Sequence, residues 1–108
     1  VSIDDVFDKK IHALDALESQ VYEGGANGSA QIMRQRKAND LGARKEILKA
    51  SWLGRNGGTA DRFRDSLIKW YGTERGKAVK TAEAFEICEY GRRPSQAELK
   101  ELFPFFNE

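Results

Sequence analysis

The stretch that decides the fold is SIDDVFDKKIHALDALESQVY, residues 2–22. Its apolar residues recur at steps of three and four, which is the spacing of one face of an α-helix. They are Ile3, Val6, Phe7, Ile11, Leu14, Leu17 and Val21. Ser2 and Asp5 have the spacing of a capping box, with Asp in place of the usual Glu or Gln. The pattern therefore predicts one amphipathic helix over residues 2–22.

Two glycine-rich stretches interrupt the helical pattern that follows. Clustered glycines favour turns over helix, so loops are predicted at about residues 23–42 and 54–58. Residues 30–40 have basic side chains and little apolar periodicity. Whether they form a mobile loop or a solvated helix stays open at this point.

The segments beyond the first loop regain helical character. Ile47, Leu48, Trp52 and Leu53 share one broad face, which predicts a helix over 43–53 with Gly54 as its stop. A further helix is predicted over 60–71, with Thr59 as its N-cap and Gly72 as its end.

The last third of the chain begins with a short basic turn that is helical over 73–78 in one interpretation. Residues 79–87 are predicted to be extended, since alternate positions fall on one side; these are Val79, Thr81, Glu83, Phe85 and Ile87. A single buried strand leaves backbone groups without partners, which is costly. We therefore expect its partner in a missing segment or in another chain.

The C-terminal end has a second capping box, formed by Ser95 and Glu98 just after a proline. It predicts a short helix through Leu102 that Pro104 stops, followed by an aromatic tail that docks on the body. The tail residues are Phe103, Phe105 and Phe106. The predicted fold is mainly α, with three to four amphipathic helices and at most one short strand at about 79–87, as a single helical domain over 1–108.

Composition narrows the classes of function. The chain has 18 basic and 17 acidic residues and a net charge of +1, so charge favours neither nucleic acid nor a membrane surface as a partner. No apolar run approaches the length of a transmembrane helix, and no signal peptide is visible. The lone cysteine, Cys88, allows no internal disulfide. These features predict a cytoplasmic location.

A basic cluster lies in the region 34–49. Its members are Arg34, Arg36, Lys37, Arg44, Lys45 and Lys49. Nucleic-acid recognition uses such a patch together with exposed aromatic residues. The near-zero net charge and the absence of a known motif favour a solvated helix face or a flexible loop instead.

Three segments of this chain resemble, in the same order, the C-terminal end of LmbE-like (PIG-L-type) N-deacetylases. KIHALDALESQ, residues 10–20, is similar to the family's K-x-x-A-L-x-x-x-x-S-Q. AEAF, residues 82–85, is similar to the family's Y-A-E-A-F, with Thr81 where the family has tyrosine. The third segment is the ending that runs from EYGR, residues 89–92, to the aromatic tail.

The resemblance implies a zinc-dependent amidase that removes acetyl groups from N-acetylglucosamine-type substrates. In that family the zinc and the catalytic residues belong to an N-terminal, Rossmann-like α/β domain. We therefore expect this chain, which begins at Val1, to be a C-terminal fragment of such a protein. It would carry no catalytic residue, metal ligand or cofactor of its own, and the missing N-terminal catalytic domain would be its partner.

The same resemblance implies three candidate residues of the substrate cleft: Ser19, Gln20 and Glu83. The alternative for Ser19 and Gln20 is that they satisfy backbone groups where their helix ends. The alternative for Glu83 is a structural ion pair. His12 and Asp15 match the outer residues of the family's zinc motif, H-P-D-D, but they lie inside a predicted helix rather than after a strand. We therefore do not take them as metal ligands.

Two functions follow from these observations. The first is the non-catalytic C-terminal portion of a zinc-dependent N-deacetylase, which shapes the substrate cleft. The second is an autonomous helical module, without enzymatic activity, that binds a partner or forms a homo-oligomer through its exposed apolar faces.

Overall fold

The protein is described by a computed structural model, which covers residues 1–22 and 41–107. The described part is mainly helical. A 3₁₀-helix at Asp4–Val6 opens the chain and another, Pro104–Asn107, ends it. Between them lie α1 (Phe7–Asp15), α2 (Glu18–Val21), α3 (Leu41–Arg62), α4 (Arg64–Tyr71), α5 (Thr73–Ala78) and α6 (Gln96–Leu102). The mainly α fold class is confirmed, and the prediction of a loop or helix over 30–40 lies outside the described residues.

The predicted helix over 2–22 is wrong at its start and in its continuity. Ser2 forms an antiparallel β-bridge with Ala82, so the first residues are extended and the helical turn begins at Asp4. The helix then breaks between α1 and α2, at Ala16 and Leu17. Part of the predicted apolar face is nevertheless buried, since Ile3, Phe7, Ile11 and Val21 join Tyr22 and Leu48 in one core cluster. Val6 and Leu17 of the same face are exposed.

The central helix, α3, continues through the glycines that were predicted to end it. Gly54, and the whole predicted loop over 54–58, lie inside a helix of 22 residues. Each interior glycine costs a helix about 1 kcal/mol relative to alanine. Tertiary packing offsets this cost, because Leu48, Asn56 and Ala60 are buried along one face of α3. Thr59 is therefore not an N-cap, and its hydroxyl donates to the carbonyl of Arg55, one turn earlier.

Helices α4 and α5 form a tight pair. Gly72 ends α4 with a positive φ of 82°, as predicted, and the helical interpretation of 73–78 is confirmed. A Cβ added at Gly76 would lie 2.5 Å from the Cα of Ile68, so the two backbones approach more closely than any other residue allows. Arg64 joins the pair by donating to the carbonyls of Gly76 and Val79.

The segment 79–87 is not a strand in the described structure, and its partner is in this chain. The expectation of a missing partner is wrong, because the segment lies between the N-terminal residues and α3. The N–H of Ile3 donates to the carbonyl of Thr81, and the N–H of Ala82 donates to the carbonyl of Asn56. Ala82 and Val79 join Ala60 and Leu67 in a second core cluster.

The C-terminal predictions are confirmed. Ser95 and Glu98 form both hydrogen bonds of the capping box at the start of α6. Phe106 stacks on Trp70 with ring centroids 4.8 Å apart and meets Tyr71 edge-on at 5.1 Å. The aromatic tail therefore docks on α4.

The two glycine environments predict opposite effects of one substitution. Nothing lies within 4 Å of a Cβ added at Gly54, so Gly54→Ala should stabilise the protein by about 0.5–1 kcal/mol through better helix propensity. Gly76→Ala should destabilise it by about 1–3 kcal/mol, because the methyl group meets the α4 backbone. Urea unfolding of both variants checks this. Destabilisation by Gly54→Ala would contradict the open space around Gly54.

Candidate functional site

A cavity of about 530 Å³ lies between α3 and the extended segment that follows Thr81. α1 contributes one side chain to it, Lys10. The remaining lining residues are Trp52, Arg55, Asn56, Gly58, Thr59, Arg62 and Phe63 from α3 and the turn after it, and residues 82–85 opposite. The cavity combines aromatic rings with charged groups, which is the make-up of many ligand sites.

Lys10 connects the walls of this cavity. Its Nζ donates to Oε1 of Glu83 at 2.5 Å and to Oδ1 of Asn56 at 3.3 Å. The same ammonium lies 4.4 Å from the centroid of the Trp52 ring. Lys10 and Glu83 are both partly shielded from solvent, so this ion pair is less screened than a fully exposed one. The three contacts hold a helix, a second helix and an extended segment in one arrangement.

Asn56 is the buried polar centre of the site. Its Nδ2 donates to the carbonyl of Ala82 at 2.9 Å, while its own carbonyl accepts the N–H of Ala82 at 3.0 Å. Its Oδ1 accepts a hydrogen bond from Lys10, so both polar atoms of this side chain have a partner. Asn56 pairs with Ala82 as a neighbouring strand would, since its side-chain amide and its backbone carbonyl together satisfy both backbone groups of that residue.

Two arginines on α3 line the same cavity. The guanidinium carbon of Arg55 lies 5.3 Å from the Trp52 ring centroid, and that of Arg62 lies 5.4 Å from the Phe63 ring centroid. Cation–π contact of this kind restrains the side chain. Within the described ranges, neither arginine has a carboxylate at ion-pair distance.

Asp4 connects the first helical turn to the extended segment through hydrogen bonds. Its carboxylate accepts the N–H groups of Lys80 and Thr81 and the Thr81 hydroxyl. Partial burial of Asp4 acts to raise its pKa, but these hydrogen bonds together hold the pKa below its ordinary value. Thr81, which stands where the family resemblance has tyrosine, thus has a structural partner.

A second cavity, of about 850 Å³, adjoins the first and shares Thr59, Phe63 and residues 82–85 with it. Aromatic and aliphatic side chains from α4, the segment and α6 line it, among them Trp70, Phe103 and Phe106. Phe85, Tyr90 and Leu102 also line it and remain 65%, 89% and 66% exposed. The described structure therefore carries a large apolar surface at this place.

The structure separates the three predicted cleft residues. Glu83 lines the first cavity and also forms the ion pair that was its alternative interpretation. Ser19 and Gln20 are exposed on α2 and, within the described structure, line neither cavity. His12 and Asp15 have other contacts: Nδ1 of His12 bonds to the carbonyl of Asp8, and Asp15 accepts from Tyr22.

Three of the six residues in the basic cluster form ion pairs within the chain. Their partners lie on α1 and α2: Arg44 pairs with Glu18, Lys45 with Asp15, and Lys49 with Asp8. These ion pairs attach the first half of α3 to the N-terminal helices at the surface, where the partners Glu18 and Asp8 remain mostly exposed. The others, Arg34, Arg36 and Lys37, lie outside the described residues.

Sequence reasoning missed most of the cavity. It noted Lys10 only as a match to a motif and did not single out Asn56, Arg55 or Arg62. Trp52, Arg55, Thr59 and Arg62 recur at helical steps, which would have placed them on one face. Ending the helix at Gly54 concealed that stripe.

The comparisons add no relative. No family model, no curated protein and no solved structure matches the chain significantly. Across residues 1–22 and 41–107, no group of three or more His, Cys, Asp or Glu side chains is placed to hold a metal ion. In the same residues no helix has the length and apolar character needed to cross a bilayer. The cytoplasmic location stays a prediction.

Asn56→Ala should destabilise the protein by about 1–3 kcal/mol, because it leaves the Ala82 carbonyl buried without its partner. Urea unfolding measures the change. Ser51→Ala, at an exposed position of the same helix, is the matched control and should change stability by no more than about 0.5 kcal/mol. Equal effects of the two substitutions would contradict a stabilising role for the hydrogen bond from the Asn56 side chain to Ala82.

Asp4 should make stability depend on pH in the acid range. A carboxylate whose pKa is lower in the folded state stabilises the protein above its unfolded pKa, and this contribution is lost as pH falls through the folded value. The difference in stability between wild type and Asp4→Asn should therefore be full near pH 6 and shrink as pH falls below about 4. Urea midpoints at several pH values measure it. Asp5→Asn removes one negative charge from the neighbouring exposed residue and is the matched control for the loss of charge.

Proposed function

We propose that this chain is the non-catalytic C-terminal portion of a zinc-dependent N-acetyl deacetylase and that its smaller cavity forms part of the substrate cleft. The supporting observation is the ion pair between Lys10 and Glu83. These residues are 73 positions apart and belong to the two segments with the most specific resemblance to the family. Their contact at one cavity is what a shared role in one cleft requires.

The resemblance implies that the zinc and the catalytic residues belong to an upstream Rossmann-like domain. Among the described residues, no three His, Cys, Asp or Glu side chains are grouped so that they could hold a metal ion. The role proposed for Lys10 and Glu83 is to bind the substrate. Glu83 offers a carboxylate acceptor and Lys10 an ammonium donor, which suit the hydroxyl and amide groups of an N-acetylated sugar.

The apolar part of the cavity serves the same role. Trp52, Phe63 and Phe85 present ring surface beside the charged pair. Sugar rings have apolar C–H faces as well as hydroxyl groups, so aromatic side chains next to hydrogen-bonding groups are suited to them. The hydrogen bonds of Asn56 hold the pair and the extended segment in position for such contacts.

The test uses the full-length natural gene product. Zinc content and release of acetate from N-acetylglucosamine conjugates are measured for wild type and for Glu83→Gln. We expect unchanged zinc content and a kcat/KM lowered by about tenfold or more, as loss of a charge-assisted hydrogen bond implies. Glu18→Gln breaks an exposed ion pair with Arg44 outside the cavity and should leave kcat/KM unchanged.

A second function, a helical interaction module, is supported by the large apolar cavity and the exposed Phe85, Tyr90 and Leu102 around it. Contiguous apolar surface of this kind marks contact sites in many proteins. The same experiment separates the two proposals. A natural gene product with no upstream metal-binding domain and no acetate release would exclude the deacetylase and leave the module, whose apolar surface would then mediate self-association.

A further inference from the structure

Arg55 and Arg62 occupy one edge of the smaller cavity at matching positions. They are seven residues apart on α3, which is close to two full turns, so they lie on the same face and about 10 Å apart along the helix axis. Both line the cavity. The backbone positions of the two arginines are therefore separated by about the length of a small molecule with a charged group at each end.

Each guanidinium is held in place without using its hydrogen-bond donors. Arg55 lies over the Trp52 ring and Arg62 over the Phe63 ring. A cation–π contact engages the charge of a guanidinium and leaves its five N–H donors available. In the part of the chain that the structure describes, no acceptor takes a hydrogen bond from either group, and such restraint lowers the entropy lost on binding a ligand.

The two arginines differ in this respect from the other basic residues of α3 and from Arg64, which begins α4. Arg44, Lys45 and Lys49 have carboxylate partners, and Arg64 bonds to Asp61 and to backbone carbonyls. In the cavity, three basic residues face a single acidic one, Glu83, and Lys10 already neutralises it. The cavity lining thus has a net charge of +2, twice that of the whole chain, and this charge rests on Arg55 and Arg62.

We propose that this cavity binds a small organic anion with an oxyanion group, phosphate or carboxylate, at each end. One group would bond to Arg55 and the other to Arg62. The planar fork of arginine matches both kinds of oxyanion with two parallel hydrogen bonds. The middle of the ligand would lie along Thr59 and Phe63. The proposal goes beyond the deacetylase function and does not rest on it, since it is tested by binding alone.

The spacing selects against other anions. A single phosphate reaches only one of the two arginines, so it should bind more weakly than a ligand that reaches both. Nucleic acid requires a longer basic track. The neighbouring bases of α3, Arg44, Lys45 and Lys49, do not extend the pair, because carboxylates of α1 and α2 occupy them.

The test is isothermal titration calorimetry on the 108-residue chain at one fixed, low salt concentration. The probes are fructose 1,6-bisphosphate, with a phosphate at each end, fructose 6-phosphate, with one, and inorganic phosphate. We expect the bisphosphate to bind about tenfold or more tightly than either of the others, since it gains a second charge-assisted contact. A dicarboxylate of similar length, suberate, distinguishes phosphate from carboxylate as the preferred group.

Variants test the assignment to these two residues. Arg55→Gln and Arg62→Gln should each reduce the bisphosphate to the affinity of the monophosphate. Arg93→Gln removes the same charge from an exposed arginine that lines neither cavity and should leave the affinity unchanged. If a glutamine variant does not fold, Arg55→Lys and Arg62→Lys keep the charge and should still weaken binding through loss of the planar fork.

Three results would overturn the proposal. The first is equal affinity for the bisphosphate and the monophosphate. The second is an equal loss of affinity in Arg93→Gln, which would indicate binding through net charge alone. The third is no binding of bisphosphate or dicarboxylate at millimolar concentration. Binding of single-stranded RNA that the Arg55 variant loses would then indicate a nucleic-acid partner instead.

Discussion

The structure depends on the double hydrogen bond between Asn56 and the backbone of Ala82. A segment of extended chain that is buried needs a partner for each backbone group, and no sheet supplies one in the described residues. One asparagine in the middle of a helix takes that place. The N-terminal residues pair with the same segment from its other side. The result is an extended segment enclosed between a helix and the start of the chain.

This arrangement determines where the functional groups lie. Because Ala82 is attached to α3, the next residue, Glu83, meets Lys10 of α1. The three elements enclose the smaller cavity, and its lining joins side chains that are far apart in the sequence. The larger, more apolar cavity adjoins this one, and the two share Thr59, Phe63 and residues 82–85.

The basic residues of α3 fall into two sets, those that form ion pairs and those that contact aromatic rings. The first half of α3 uses its basic residues to attach itself to α1 and α2. Its second half has arginines that rest on aromatic rings and keep their donors unused among the described residues. Ring contact restrains a cation without neutralising it, whereas an ion pair does both. Basic residues therefore form ion pairs at one end of the helix and contact aromatic rings at the other.

The sequence by itself determined the helical class, the apolar face of α1, the end of α4 at Gly72 and the capping box of α6, because these features depend on residues within a few positions of one another. Only the tertiary structure decided that α3 continues through Gly54, that the partner of residues 79–87 is in this chain, and that Arg55 and Arg62 share a cavity with Glu83. A glycine's local preference for a turn is worth about 1 kcal/mol, and the burial of Leu48, Asn56 and Ala60 outweighs it. That burial arises from contacts between residues that are distant in sequence, as does the ion pair between Lys10 and Glu83. Local sequence patterns do not predict such contacts.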